Sequence, residues 1–498
     1  MRPLGDVACS GCYLVDANIV DDIVGISTRI TVISERYPCG KKAMKSTTIS
    51  TVGALARYAC GLKARDLSQE VKLHAAKCVL DTLAAAAAGL SAPSVVAARE
   101  ASSALFGKGE IPVWFDGRRT TTAGAIFANS SAAAVLDMDD GHSEARGHAA
   151  SAVVPAVLSL AGEIGASTDE VLSAIAIGYE VAVRIKAARG DHGQAGWNGQ
   201  SGVWAGFSVA VAIGWLLKAS EDQIAHGIAL TGVYSPNLVA TSYTKEFGAD
   251  VKEGIPWSAV VGYSSMILAK LGHAGFTDTL DCPPFYDAST ILRGLGEERM
   301  KILGNYFKPY ATCRHFHAAL KGLEDVMADH AIKAAEIETI RVHIYDYALR
   351  LSNKTQPQSL IDIQYSIPYC MAIVAILGAD SLMPIDESLL GRTELIALAE
   401  RVQIVPDPEF SSRYPEVVLN RIDVVTAGGT FSTPPMRPPC DPDAPMTMEQ
   451  LERKFTNSTA RVLGERRQSD LLSAFGRFLE GEIAPLLKAI ATPAKTSA

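Results

Sequence analysis

None of the common catalytic signatures occurs in this sequence. It has no Walker phosphate loop, no dinucleotide glycine fingerprint after a strand and no HExxH pair. Ser201 stands in GQSGV, without the second flanking glycine of a nucleophile elbow. No motif indicates a cofactor. The nine cysteines are scattered and odd in number, which argues against a disulfide framework and for reduced thiols in a cytoplasmic protein. Cys9 and Cys12 form a lone CxxC with Cys39 downstream, short of the ligand count a zinc site needs. Basic charge is also in short supply. Against 54 Asp and Glu stand 46 Lys and Arg, a formal charge of −8, which excludes a broad nucleic-acid surface. It leaves room for an anionic substrate, because a few cations inside one pocket outweigh a weak overall field. No basic segment followed by an apolar core opens the chain. The most membrane-like run, SGVWAGFSVAVAIGWLL from Ser201 to Leu217, is short for a span and holds three glycines, so a buried core helix is expected. A soluble protein with neither nucleic-acid nor membrane partners follows.

The 498 residues allow two domains, and 48% hydrophobic with 20% charged residues is an ordinary globular balance. Residues 1–45 hold three of the nine cysteines and no sustained helical period. They read as an N-terminal extension, either a flexible arm or text upstream of a start at Met44. Ala-rich helical text fills 46–306. Ser68 is placed to cap SQEVKLHAAKCVLDTL, and Thr168 followed by Asp169 and Glu170 marks another helix start. Further helices are expected around 120–137, 149–165, 200–218, 221–232 and 256–272, with small residues allowing close helix contact. After residue 306 the text changes. ETIRVHIYDYAL from Glu338 alternates in places, and RIDVVTAGGTF from Arg421 reads as two strands around a Gly-Gly turn. SIPYCMAIVAIL from Ser366 reads as a helix between them. This predicts a smaller α+β domain over 307–445, ending in the proline-rich loop 432–445, and helices over 446–490 that return to the large domain. The fold class is mainly α, a large all-helical domain with a smaller α+β lid.

Two stretches concentrate chemistry. LDMDDGHSEARGHAASAVVPAVLSL, from Leu136 to Leu160, packs three aspartates, two histidines and an arginine into twelve residues before an apolar helix. YFKPYATCRHFHAAL, from Tyr306 to Leu320, sets Lys308, Arg314, His315 and His317 ahead of another helix. A solvated loop and a basic surface turn are the bland alternatives.

These two stretches, in this order and spacing, resemble the hallmark blocks of the MmgE/PrpD family, as does SIPYCMA around Tyr369. The resemblance covers roughly residues 48 to 485. The family includes 2-methylcitrate dehydratases, cis-aconitate decarboxylases and iminodisuccinate epimerases. It implies a cofactor-free, metal-independent homodimer acting on a small polycarboxylate. Such chemistry needs a proton-transfer group and fixed cations around the carboxylates. The match assigns His148 as proton-transfer residue, Asp137 as its orienting carboxylate, Lys308 as carboxylate clamp or proton donor, and Tyr369 as a cleft tyrosine. His142, Arg314 and His317 become substrate-binding neighbours. There are departures. Gly141 replaces a family threonine, and Asn198 in GWNGQ replaces a family histidine. VKEGIPW keeps Lys252 as the other lysine but loses the histidine of KPxHxG, with Lys245 a competing assignment. A dehydratase of a 2-methylcitrate-like hydroxy acid leads; a decarboxylase or epimerase, and a non-catalytic ligand-binding relative, are the alternatives.

Overall fold

Short hydroxyl side chains start the helices. In the computed structural model, which describes residues 49–189, 200–236, 250–283 and 285–494, Ser50, Ser68, Thr121, Ser167 and Ser220 each accept a hydrogen bond from a backbone N–H three residues on. That satisfies one of the donors a helix start leaves open. The cap before Asp169 and Glu170 is Ser167, reciprocated by Glu170, one residue before the Thr168 expected from the sequence. Residues 1–45, with Cys9 and Cys12, and the candidate residues Asn198 and Lys245 lie outside the described residues.

The helices Gln69–Ala88, Thr122–Ala134, Ala150–Ile164, Thr168–Ala187, Ser201–Leu216, Glu221–Tyr234 and Ile255–Lys270 pack into one body. Ser201–Leu216 is buried along nearly its whole length, between Thr168–Ala187 and Ile255–Lys270. Glycine makes this possible. A Cβ on Gly262 would lie 2.2 Å from the carbonyl oxygen of Gly206, so the two backbones touch where any side chain would hold them apart. Among the described residues, Gln69–Ser91 is the stretch long and apolar enough to cross a membrane, and 89% of that window is buried against other helices.

Beyond the second block, His317–Asp329 and Ile367–Leu377 lie with a four-stranded sheet. Its order is Val402–Pro406, Ile337–Ile344, Asn420–Thr426, Gly429–Ser432, parallel at the first pairing and antiparallel at the other two. The expected strand pair around Gly428 and Gly429 forms, with Val424 opposite Phe431. The expected strand from Glu338 ends at Ile344, and the chain turns into a 3-10 segment, Asp346–Arg350. The edge strand Val402–Pro406 has no clear alternation in the sequence, and its burial follows none. Met448–Leu463 packs on Gln69–Ala88 of the helical body, where Lys454 Nζ donates to Asp81 Oδ1 and to the Met138 carbonyl, each at 2.6 Å.

Candidate active site

The two chemical blocks, more than 150 residues apart, are joined by a two-residue antiparallel pairing of Gly141 with Tyr306 and His142 with Asn305. It brings Lys308 up to Asp137. Asp137 follows the helix Thr122–Ala134 and sits in the left-handed region, φ 52°, which short polar side chains tolerate better than most. It is 1% exposed. Its Oδ1 lies 2.7 Å from Lys308 Nζ, 2.9 Å from Lys252 Nζ and 3.3 Å from His148 Nε2. Burial would raise the Asp137 pKa, but Lys252, Lys308 and His148 together hold it well below the usual carboxylate range.

His148 is clamped from both sides. Its Nδ1 is 2.6 Å from the Asp140 carbonyl and 3.3 Å from Asp139 Oδ2, while its backbone N–H donates to Ser201 Oγ at 2.9 Å. Burial works against the imidazolium. The Asp139 charge and the hydrogen bonds to Asp137 and Asp139 overcome it and push the pKa up to about 10. His148 therefore enters neutral solution as an acid, with Nδ1–H committed to Asp140 and Nε2–H left beside Asp137. Asp140 itself is a buttress, taking hydrogen bonds from Tyr179 and, at 2.6 Å, from Asn305 Nδ2.

Lys252 stands behind this wall. Its ammonium donates to Glu253 Oε1 at 2.9 Å and to Tyr365 OH at 2.8 Å and is ion-paired with Asp137, so two of its three donors are spent within the protein. Burial would lower its pKa; Asp137 and Glu253 raise it well above the usual lysine value. Tyr365 OH donates on to Glu253 Oε1 at 3.0 Å, and Glu253 Oε2 accepts from the backbone N–H of Ser201 at 3.0 Å.

Beside these groups is a cleft lined by Asp137, His148, Glu253, Lys308, Arg314 and Tyr365 among others, together with Tyr414, Pro415 and Val418. His142 also borders it, but its ring is spoken for: Nε2 lies 2.6 Å from the Lys301 carbonyl and Nδ1 accepts from Ala145 N. Burial lowers its pKa to about 4. Arg314 is in the cleft wall, stacked 4.4 Å over the Tyr306 ring and ion-paired to Asp441.

Three of the expected site residues do not line the cleft: Lys252, which stands behind it, Tyr369 and His317. Tyr369, fully buried, turns its hydroxyl to the Leu389 carbonyl on the far side of its helix. The tyrosine that reaches the network is Tyr365, four residues earlier, on the other side of the break between the helices Leu360–Gln364 and Ile367–Leu377. His317 bonds back to Thr312 through Nε2, at 3.0 Å to the carbonyl, and packs edge-on against Tyr310. Glu253, Tyr365, His315 and Arg146 are among the lining residues that were not picked out as site residues in the sequence. Glu253 sits next to Lys252 and His315 one residue after Arg314, so adjacency was the available signal. Nothing local marked Tyr365.

Asp137, Asp139 and His148 each place one ligand atom within 4.8 Å of the others, a spacing a metal ion could use. A divalent cation there would have to displace the two lysine ammoniums that already neutralise Asp137. The donor set is therefore better matched to fixed side-chain cations than to a metal.

The MmgE/PrpD N-terminal domain matches residues 53–287 and the MmgE/PrpD C-terminal domain residues 310–475. A cis-aconitate decarboxylase of Aspergillus terreus (strain NIH 2624 / FGSC A1156) is 25% identical over 491 residues, covering 92% of this chain and 99% of the relative. A second cis-aconitate decarboxylase of Aspergillus terreus is 25% identical over 476 residues, covering 89% and 96%. Two family domains spanning most of the chain, on a helical body with a smaller sheet-bearing part, make this chain a member of the MmgE/PrpD family of enzymes.

Proposed function

We propose that this protein is a lyase that decarboxylates a small unsaturated polycarboxylate of the cis-aconitate type, with side chains alone supplying the charge and the proton. The observation that carries this reading is His148, held as an imidazolium between Asp137 and Asp139 at the floor of a cleft also lined by Lys308 and Arg314. Decarboxylation leaves an electron pair on carbon. Fixed cations at the remaining carboxylates lower the energy of that carbanion, and an acid must deliver a proton to it. Lys308 is the lysine placed to meet a carboxylate, since it lines the cleft while Lys252 lies behind the lining and donates to Glu253 and Tyr365. His148 Nε2–H is the proton source. Asp137 orients both and keeps them charged before substrate enters. The end-to-end similarity to two cis-aconitate decarboxylases supports the same reading.

Dehydration of a 2-methylcitrate-like hydroxy acid is the second reading, and His315 favours it. This half-buried imidazole in the cleft wall has its pKa lowered to about 4, first by burial and then by Arg314, so it is neutral and able to accept a proton. So weak a base is poorly matched to neutral pH, which places dehydration second.

Incubation of the purified protein with cis-aconitate and with 2-methylcitrate in D2O, followed by NMR, separates the two. Decarboxylation releases CO2 and leaves one deuterium on product carbon, whereas dehydration forms an alkene with all carbons kept. His148→Gln is expected to fold and to cut kcat by roughly 10²–10⁴-fold. Exhaustive chelation should leave turnover intact. Failure to turn over any member of a di- and tricarboxylate panel would remove the lyase reading.

A further inference from the structure

The hairpin from His142 to Gly147 carries a guanidinium that the reaction scheme above does not need. His142 N–H donates to the Gly147 carbonyl at 2.9 Å and Arg146 N–H to the His142 carbonyl at 2.7 Å, closing a tight loop at the cleft mouth. Arg146 sits in this loop with φ 53°, a left-handed conformation that a long side chain rarely adopts. Such strain persists where the surroundings impose it, and it clusters at ligand-binding positions. Gly147 follows, where a Cβ would come within 2.7 Å of Ser201 Oγ, so the loop is seated tightly against the helix that opens at Ser201. Arg146 is exposed, lines the cleft and donates a hydrogen bond to the Tyr414 side chain across the mouth. Among the described residues it has no carboxylate partner within ion-pair distance, unlike Arg314, which Asp441 holds.

The cleft thus has depth and polarity. Lys308 and His148 lie buried at the floor, 1% and 6% exposed, and Arg146 stands at the rim with its charge uncommitted. A ligand with two carboxylates toward Lys308 and His148 at the floor and a third at the rim would satisfy both ends. A planar guanidinium is suited to grip a carboxylate through two parallel hydrogen bonds. We propose that Arg146 is the distal-carboxylate clamp of this site, the residue that makes it prefer tricarboxylates over dicarboxylates, with Tyr414 holding the guanidinium in place until the ligand arrives. This rests on the polycarboxylate reading of the cleft and adds the carboxylate count to it.

The test is calorimetric binding of two unreactive probes, propane-1,2,3-tricarboxylate and glutarate, to the full-length protein and to Arg146→Gln and Arg146→Lys. The wild type is expected to bind the tricarboxylate more tightly. Arg146→Gln should weaken tricarboxylate binding roughly tenfold to a hundredfold, the scale of a lost charge-assisted hydrogen bond, and leave glutarate affinity unchanged. Arg146→Lys should fall between, keeping the charge but not the fork. Equal tricarboxylate affinity in wild type and Arg146→Gln overturns the clamp while the polycarboxylate reading stands. So does a wild type that binds glutarate as tightly as the tricarboxylate. A wild type that binds neither probe removes the polycarboxylate reading itself, and the clamp with it. Circular dichroism on each variant separates misfolding from lost binding.

Discussion

Tyr365 and Tyr369 illustrate how a break between two helices decides a residue's role. Both lie in the apolar text LIDIQYSIPYCMAIVAIL, and both are buried. The chain breaks between them. Leu360–Gln364 ends, Ser366 caps Ile367–Leu377 by accepting from Tyr369 N–H, and the two rings leave in different directions. Tyr365 meets Lys252 and Glu253, while Tyr369 meets the Leu389 carbonyl. The sequence singles out Tyr369 through its place in a family-like helix, and the register of a short cap overrides that. Tyr365→Phe removes an acceptor from a buried ammonium and a donor to Glu253, and it should lower turnover by tenfold or more while the protein stays folded. Tyr369→Phe deletes one buried hydrogen bond, expected to cost about 1 kcal/mol of stability with turnover unchanged. Parallel melting curves and kinetics on the two variants check this, and the reverse pattern would return Tyr369 to the site.

At the scale of elements, the pairing of Gly141 with Tyr306 explains a departure from the family that looked like a lost substrate contact. A Cβ at Gly141 would lie 2.3 Å from the Tyr306 ring, and that ring is itself buried beneath Arg314. A threonine at 141 and a tyrosine at 306 exclude each other here. The glycine is what lets the two blocks lie side by side, and with them Lys308 beside Asp137. Gly141→Ala should therefore lower the melting temperature, with an overpacking cost of roughly 1–3 kcal/mol. Shrinking the ring in Gly141→Ala/Tyr306→Leu should return part of that loss. A Gly141→Ala protein with the wild-type melting temperature would show that the ring moves aside freely. Helix assignments over 46–306 were legible because capping hydroxyls and apolar periodicity both act within a few residues. The strand Val402–Pro406 was not, because its place beside Ile337–Ile344 comes from pairing across sixty residues rather than from its own pattern.

Taken whole, the molecule carries an unusual load of buried histidine, and that sets its response to acid. His74, His142 and His315 have pKa values lowered to about 4, in each case first by burial, and burial takes His317 further down. An unfolded histidine titrates near 6.5. Between about pH 4 and 6.5 the unfolded chain thus binds more protons at these four positions, so acid favours unfolding and stability falls as pH drops through that window. Asp140, with Asp81 and Asp250 in the same direction, opposes this. Burial, with Asp81 and Asp139, raises the Asp140 pKa to about 7, so the native state takes a proton there that the unfolded chain takes up only near pH 4. His148, raised to about 10, contributes stability that is fully present below about pH 6.5 and lost as pH climbs through 10. The four lowered histidines outnumber these carboxyls. The melting temperature should be several degrees lower at pH 5 than at pH 7, and lower again above pH 10 as His148 discharges. An unchanged melting temperature between pH 5 and 7 would contradict the burial assigned to these rings.

Local text was enough to establish the helical body, the two chemical blocks and the family, because helix caps, apolar periodicity and short motifs are properties of neighbouring residues. His148, Asp137 and Lys308 were legible for that reason. Which groups face the cleft, and in what protonation state, was a matter for the tertiary structure alone. Whether Lys252 touches a ligand depends on Glu253 and Tyr365, which take two of its hydrogens, and on Asp137, which holds its charge behind the cleft lining. Whether His148 is an acid or a base depends on two carboxylates in a buried loop, one of them shared with lysines brought in from far along the chain. Charge and burial act through space, so only the folded chain sets them.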